Sequence, residues 1–88
     1  MLKNKILKLL HSKINIYKIS IDDLTKQHEN HNKSNNGGHF KLHIVSNDFQ
    51  NTSLLNRHKM IYNILNNMMK NEIHALSIKS QTINESKK

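Results

Sequence analysis

The sequence predicts an α+β fold of two layers, ordered helix, strand, strand, helix, strand, with a three-stranded mixed sheet and the helices on one face. Three observations carry this. Two stretches repeat apolar residues at helical spacing, three others alternate apolar and polar residues, and one long polar stretch separates the first two strands. At 88 residues there is room for a single domain, 1–88, near the lower size at which burial alone supports folding.

The first helix covers residues 2–14, where Leu2, Ile6, Leu9 or Leu10, and Ile14 share a side and Lys3, Lys5, Lys8 and Lys13 lie elsewhere. The first twenty-one residues contain no acid, which also suits a mitochondrial transit peptide or a membrane-surface helix. A domain of this size could hardly lose the helix and keep a core, so an integral helix is expected. Tyr17, Ile19 and Ile21 then alternate with polar residues as a half-buried strand. Residues 23–38, DLTKQHENHNKSNNGG, have no periodicity and read as a long flexible loop containing His28 and His31. It closes on Gly37 and Gly38, the only glycines, which mark a point of backbone freedom.

Phe40, Leu42 and Ile44 alternate with His39, Lys41 and His43, predicting a central strand over 39–46, and Asn47 and Asp48 open a turn. Ser53 is placed to cap a second helix whose buried stripe is Leu55, Met60, Ile61, Ile64, Leu65 and Met68. Asn71 suits a left-handed exit from it. A third strand follows, with His74, Leu76 and Ile78 on one face, and a polar tail over 81–88 with room for one helical turn. The first two strands should pair antiparallel; the strand, helix, strand unit from 39 to 80 calls for a parallel pair.

Composition bounds the chemistry. There is no cysteine, so disulfides, thiol catalysis and cysteine-ligated metal are outside this chain's own resources. Fourteen Lys and Arg against six acids give a formal charge of +8, which attracts polyanions, although drift toward Lys and Asn gives the same pattern. No apolar run approaches a membrane span, so no membrane role is expected. An enzyme is the poorest reading, because there is no glycine-rich phosphate loop and no recognisable nucleophile with its base. The HENH run at 28–31 lacks the spacing of a zinc-protease helix.

The segments HFKLHIVS, then Phe49, then SLLNRHKMIY and IHALSIK closely resemble the BolA family in order and distance. The resemblance spans Lys5 to Glu85, with the first helix and strand matching as a pattern. It implies a fold like class II KH domains, without the GxxG loop that clamps a nucleic-acid backbone. It also implies an adaptor that pairs with a monothiol glutaredoxin and holds a bridging two-iron, two-sulfur cluster, in iron-sulfur cluster assembly or iron regulation. On this resemblance the partner's cysteine and glutathione supply one side of the cluster and this chain's imidazoles the other, and the isolated chain holds none. Histidine can replace cysteine on one iron, as Rieske centres show. His74 matches the family's C-terminal histidine ligand. His31 is closest to the usual loop position, with His28 the alternative.

Neutral imidazole is required, so mildly acid pH should weaken such a site. Read without the resemblance, His74 is a hydrogen-bonded strand histidine, and His28 and His31 are incidental residues or an adventitious zinc or nickel pair. His39 is expected to be structural, and Arg57 and His58, which repeat the family's RH motif, to anchor the loop after Phe49 or form part of the partner surface. The rival function is a transcriptional regulator that binds nucleic acid through Arg57 and Lys59. Against it, Tyr17, Phe40, Phe49 and Tyr62 fall where a core role is more natural than base stacking. The histidine-bearing loop resembles mitochondrial members, if the source is eukaryotic, or cytoplasmic bacterial ones.

Overall fold

The computed structural model describes residues 2–28 and 37–88, with side chains described throughout that range except at 27 and 28. Helix α1 (Leu2–Lys13) leads into β1 (Lys18–Asp23), a helical turn α2 (Thr25–His28) and β2 (Gly38–Val45). A 3-10 turn (Asn47–Phe49), helices α3 (Leu54–Ile64) and α4 (Asn66–Asn71), β3 (Ile73–Gln81) and a last turn α5 (Ile83–Ser86) complete the chain.

The sheet order is β1-β2-β3. Antiparallel pairing sets Ile21 opposite Leu42, and parallel pairing sets Phe40 opposite Leu76 and Leu42 opposite Ile78. The α+β architecture with a mixed sheet is therefore the predicted one. Its cause is visible in β2: Phe40, Leu42 and Ile44 are buried, while Lys41 between them is exposed. Ile6, Leu10 and Ile14 from the first helical segment and Ile61, Leu65 and Met68 from the second close over that apolar face. At the end of β2, buried Ser46 donates to the Asn15 carbonyl at 2.7 Å and accepts from the Asp48 amide at 3.0 Å. This ties the link after α1 to the turn that sends the chain into α3.

Several local expectations change. The second helix is interrupted at Leu65, which leaves helical geometry with φ −94° and ψ 12° among the weak helix formers Asn63, Asn66 and Asn67. The buried stripe nonetheless continues through the break. Leu55 is not in it: Leu54 and Leu55 lie in the first turn, 63% and 64% exposed, and the stripe begins with the buried Arg57. Asn71 does not take a left-handed turn, since α4 exits through Glu72 with φ −114°; Asn51 is the non-glycine residue with positive φ among those described. Tyr17 lies outside β1 and is exposed rather than half-buried. Tyr62, also partly exposed, donates its hydroxyl to the Leu76 carbonyl at 3.2 Å. The polar tail does form a helical turn, closed by a reciprocal capping box between Thr82 and Glu85.

Candidate functional site

Because β2 and β3 are parallel, both start at the end of the sheet where β1 finishes, and the loop between β1 and β2 leaves and returns at that corner. His74 is the second residue of β3. In a regular strand it would share the helix-covered face with Leu76 and Ile78, as alternation predicts. A bulge overturns that. Gly38 pairs with Ile73 but His39 pairs with Ala75, so His74 is the extra residue. Ile73 keeps its place in the core, and His74 becomes exposed. Its ring centroid lies 5.0 Å from that of His39, with the planes tilted by 40°. His39, flanked along the strand by buried Gly38 and Phe40, belongs to the face away from the helices. The irregularity thus re-aims His74 from the covered face toward a second imidazole.

Both ends of the loop are fixed beside this pair. At its start, the Leu24 amide donates to the His39 carbonyl at 2.7 Å, and the His39 amide donates to Thr25 Oγ1 at 3.1 Å. Asp23 accepts from the Thr25 hydroxyl at 2.5 Å and from its amide at 3.0 Å. The Thr25 hydroxyl, then its amide, hold the Asp23 carboxyl below the usual carboxylate range. At the return, the Gly38 amide donates to the Glu72 carbonyl at 2.9 Å. Of the predicted loop ligands, His28 ends α2 with its side chain outside the described residues, and His31 lies wholly outside them. Among the described residues no group of three or more His, Asp or Glu is arranged to hold a metal ion by itself. The structure brings together His74 and His39, and His39 is the residue that sequence reasoning set aside. The signal was available only through the pairing of distant strands.

The residues proposed for nucleic-acid contact lie elsewhere and differ in kind. Lys59 is exposed on α3, whereas Arg57 is 5% exposed and its guanidinium is committed inside the chain. Nε donates to the Thr52 carbonyl at 2.8 Å and Nη1 to the Ser80 carbonyl at 3.2 Å. Nη1 and Nη2 grip the Glu85 carboxylate at 2.7 and 3.1 Å, in the two-pronged geometry that guanidinium favours. Arg57 therefore anchors α5 to the end of β3 rather than facing a phosphate. His58 beside it is half-buried.

This anchor has a pH consequence. The Arg57 guanidinium first, and the Thr82 amide second, pull the Glu85 carboxyl from its ordinary 4.5 to about 2. A carboxyl with a depressed folded-state pKa stabilises the fold above its unfolded value and loses that contribution as pH falls through the folded one. Urea midpoints are therefore expected to fall between pH 4.5 and about 2, and Glu85→Gln to flatten that part of the profile. An unchanged profile in the variant contradicts the assignment.

The BolA family profile, described as BolA-like protein, matches residues 10–85. A protein of Buchnera aphidicola subsp. Acyrthosiphon pisum is 40% identical over 81 residues, covering 92% of this chain and 76% of that one. SufE-like protein 1, chloroplastic/mitochondrial, of Arabidopsis thaliana is 35% identical over 79 residues, covering 83% of this chain and 21% of that longer protein. The solved BolA domain of the Arabidopsis SufE1 superposes with a TM-score of 0.83 at 35% identity, covering 93% of this chain and 92% of that one. The DNA-binding transcriptional regulator BolA of Haemophilus influenzae is 40% identical over 53 residues, covering 60% of this chain and 52% of that protein. No helix among the described residues is long and apolar enough to cross a membrane.

Proposed function

The chain belongs to the BolA-like family, and from that premise we propose that it is an adaptor that pairs with a monothiol glutaredoxin to hold a bridging two-iron, two-sulfur cluster. The family and fold are not those of known enzymes, and the adaptor has no turnover of its own. The observation that carries the reading is the corner described above, where an exposed imidazole at His74 stands against His39 between the two fixed ends of the histidine-bearing loop. The donor set fits half of a cluster site. It offers imidazole nitrogens without thiolate, so in this reading a second molecule supplies the sulfur ligands.

In this reading His74 and a loop imidazole, His31 first and His28 second, ligate one iron, and His39 orients His74 by ring contact. The cluster, when held, supplies iron and sulfide for transfer or an iron-responsive state. The protein's contribution is direction: the strand bulge points His74 outward, and anchoring at Leu24, Thr25 and Gly38 keeps the loop ends within reach. The basic surface complements an acidic partner face. The compartment follows the source, mitochondrial in a eukaryote and cytoplasmic in a bacterium.

The deciding experiment mixes the protein with a monothiol glutaredoxin, glutathione, iron and sulfide and records visible absorption and circular dichroism. Wild type is expected to give a spectrum that His74→Ala abolishes and His31→Ala weakens. An unchanged His74→Ala spectrum sinks the ligand assignment. A second reading, nucleic-acid binding, is favoured by the name of the Haemophilus relative and by the charge of +8. With Arg57 committed internally, Lys59 is what remains of its expected contact pair. Binding that survives moderately high salt and selects one sequence over scrambled competitor would establish it.

A further inference from the structure

We propose that Gly37 is a positioning residue for His74: its missing side chain lets the returning loop lie against the base of that histidine, and this contact fixes where the imidazole can point. Its functional meaning rests on the cluster reading, while its content rests on geometry alone.

Neither glycine is required for an unusual backbone, because no glycine among the described residues has positive φ. Closeness is the reason at position 37. A Cβ added there would lie 2.5 Å from His74 Cβ, 2.7 Å from its backbone nitrogen and 3.0 Å from its Cα. These are backbone atoms and the first side-chain carbon, which no change of rotamer moves. Restoring the 3.4 Å of ordinary packing to the closest contact would separate the two segments by about 1 Å. Ligand geometry tolerates roughly 0.5 Å. The displacement would fall on the bulge that turns His74 outward.

Position 38 offers a contrast in the next residue. A Cβ there would meet the outer ring carbons of Phe40 and, at 3.2 Å, Cδ2 of Leu2, which are the ends of side chains in the core layer. Either substitution should therefore cost stability, but only the one at 37 acts on His74. The histidine is bounded on two sides, by the Gly37 backbone at its base and the His39 ring at its tip.

The test compares Gly37→Ala with Gly38→Ala in the full-length chain. Proton and nitrogen resonances of the His39 and His74 rings are read by NMR, and the cluster spectrum is recorded with glutaredoxin, glutathione, iron and sulfide. Gly37→Ala is expected to shift both rings' resonances and to reduce the cluster dichroism several-fold. Gly38→Ala should lower thermal stability while leaving the His74 resonances in place. If the Gly37→Ala resonances move and the spectrum does not, the positioning role stands and the assignment of His74 as a cluster ligand falls. If they do not move, or if Gly38→Ala moves His74 equally, the positioning role is overturned. Should Gly37→Ala fail to fold, wild type decides: cross-relaxation between the Gly37 Hα and His74 Hβ protons is expected, and its absence overturns the proposal.

Discussion

Arg57→Ala is expected to lower the unfolding free energy by about 3 kcal/mol, the larger part of it from carbonyls left without donors. The reasoning turns on which partner is stranded. Removing one member of a fully buried ion pair costs about 3–5 kcal/mol because the other charge stays in the interior. Here the Glu85 side chain is 47% exposed and can rehydrate, so that penalty is reduced. The carbonyls of Thr52 and Ser80 each lose a charged donor, Ser80 in a buried strand position. Truncation also opens a void at the start of the buried stripe. Arg57→Lys should recover less than half, because a single ammonium cannot serve two carbonyls and both carboxylate oxygens. Urea denaturation at neutral pH measures both, and a loss below about 1 kcal/mol would show that solvent replaces these contacts freely. The variant should also lose the larger part of the acid-sensitive component assigned to Glu85, keeping what the Thr82 amide contributes.

Arg57 illustrates how far the sequence could be read: the expected anchoring of the loop after Phe49 is met at the Thr52 carbonyl, while the other partners were not legible. Its neighbours Ile61, Leu65 and Met68 declared a buried stripe by spacing alone, and the alternation of Phe40, Leu42 and Ile44 declared the central strand. Both signals are local, carried by burial of one face of one element. The sequence leaves Arg57 open between that loop anchor, a partner surface and a phosphate contact, because its partners Ser80 and Glu85 come from residues far along the chain. The placement of His74 was hidden for the same reason. Alternation within IHALSIK puts it with Leu76 and Ile78, and only the register against β2, with two residues facing one, turns it toward His39. Identity of the candidate ligand was legible through the family resemblance; its direction and its neighbour depended on strand pairing. Leu55 and Tyr17 show a simpler limit, since apolar periodicity continues past the point where an element leaves the core.

Phe49→Ala is expected to be the most destabilising single change, at about 3–5 kcal/mol, because its ring is fully buried and truncation leaves a cavity in the core. That is a large share of the roughly 4–13 kcal/mol typical of a chain this size. Its ring also lies beneath the Arg57 guanidinium, 5.7 Å from carbon to centroid, so the two substitutions should not add. A double-mutant cycle is expected to return a coupling of about 0.5–1 kcal/mol, and additivity within error would remove the cation–π contact from the account. The site itself should be spared. Ser80, which receives the Arg57 guanidinium, is six residues along β3 from His74, about 20 Å in an extended strand. The folded fraction of Phe49→Ala, measured at low temperature, should therefore give the wild-type cluster spectrum per folded molecule. His74→Ala should show the opposite pair of results, near-normal unfolding and no such spectrum, because its side chain is exposed. Finding both losses in both variants would mean that the Phe49 end of the sheet and the His74 corner fold and fail as one unit.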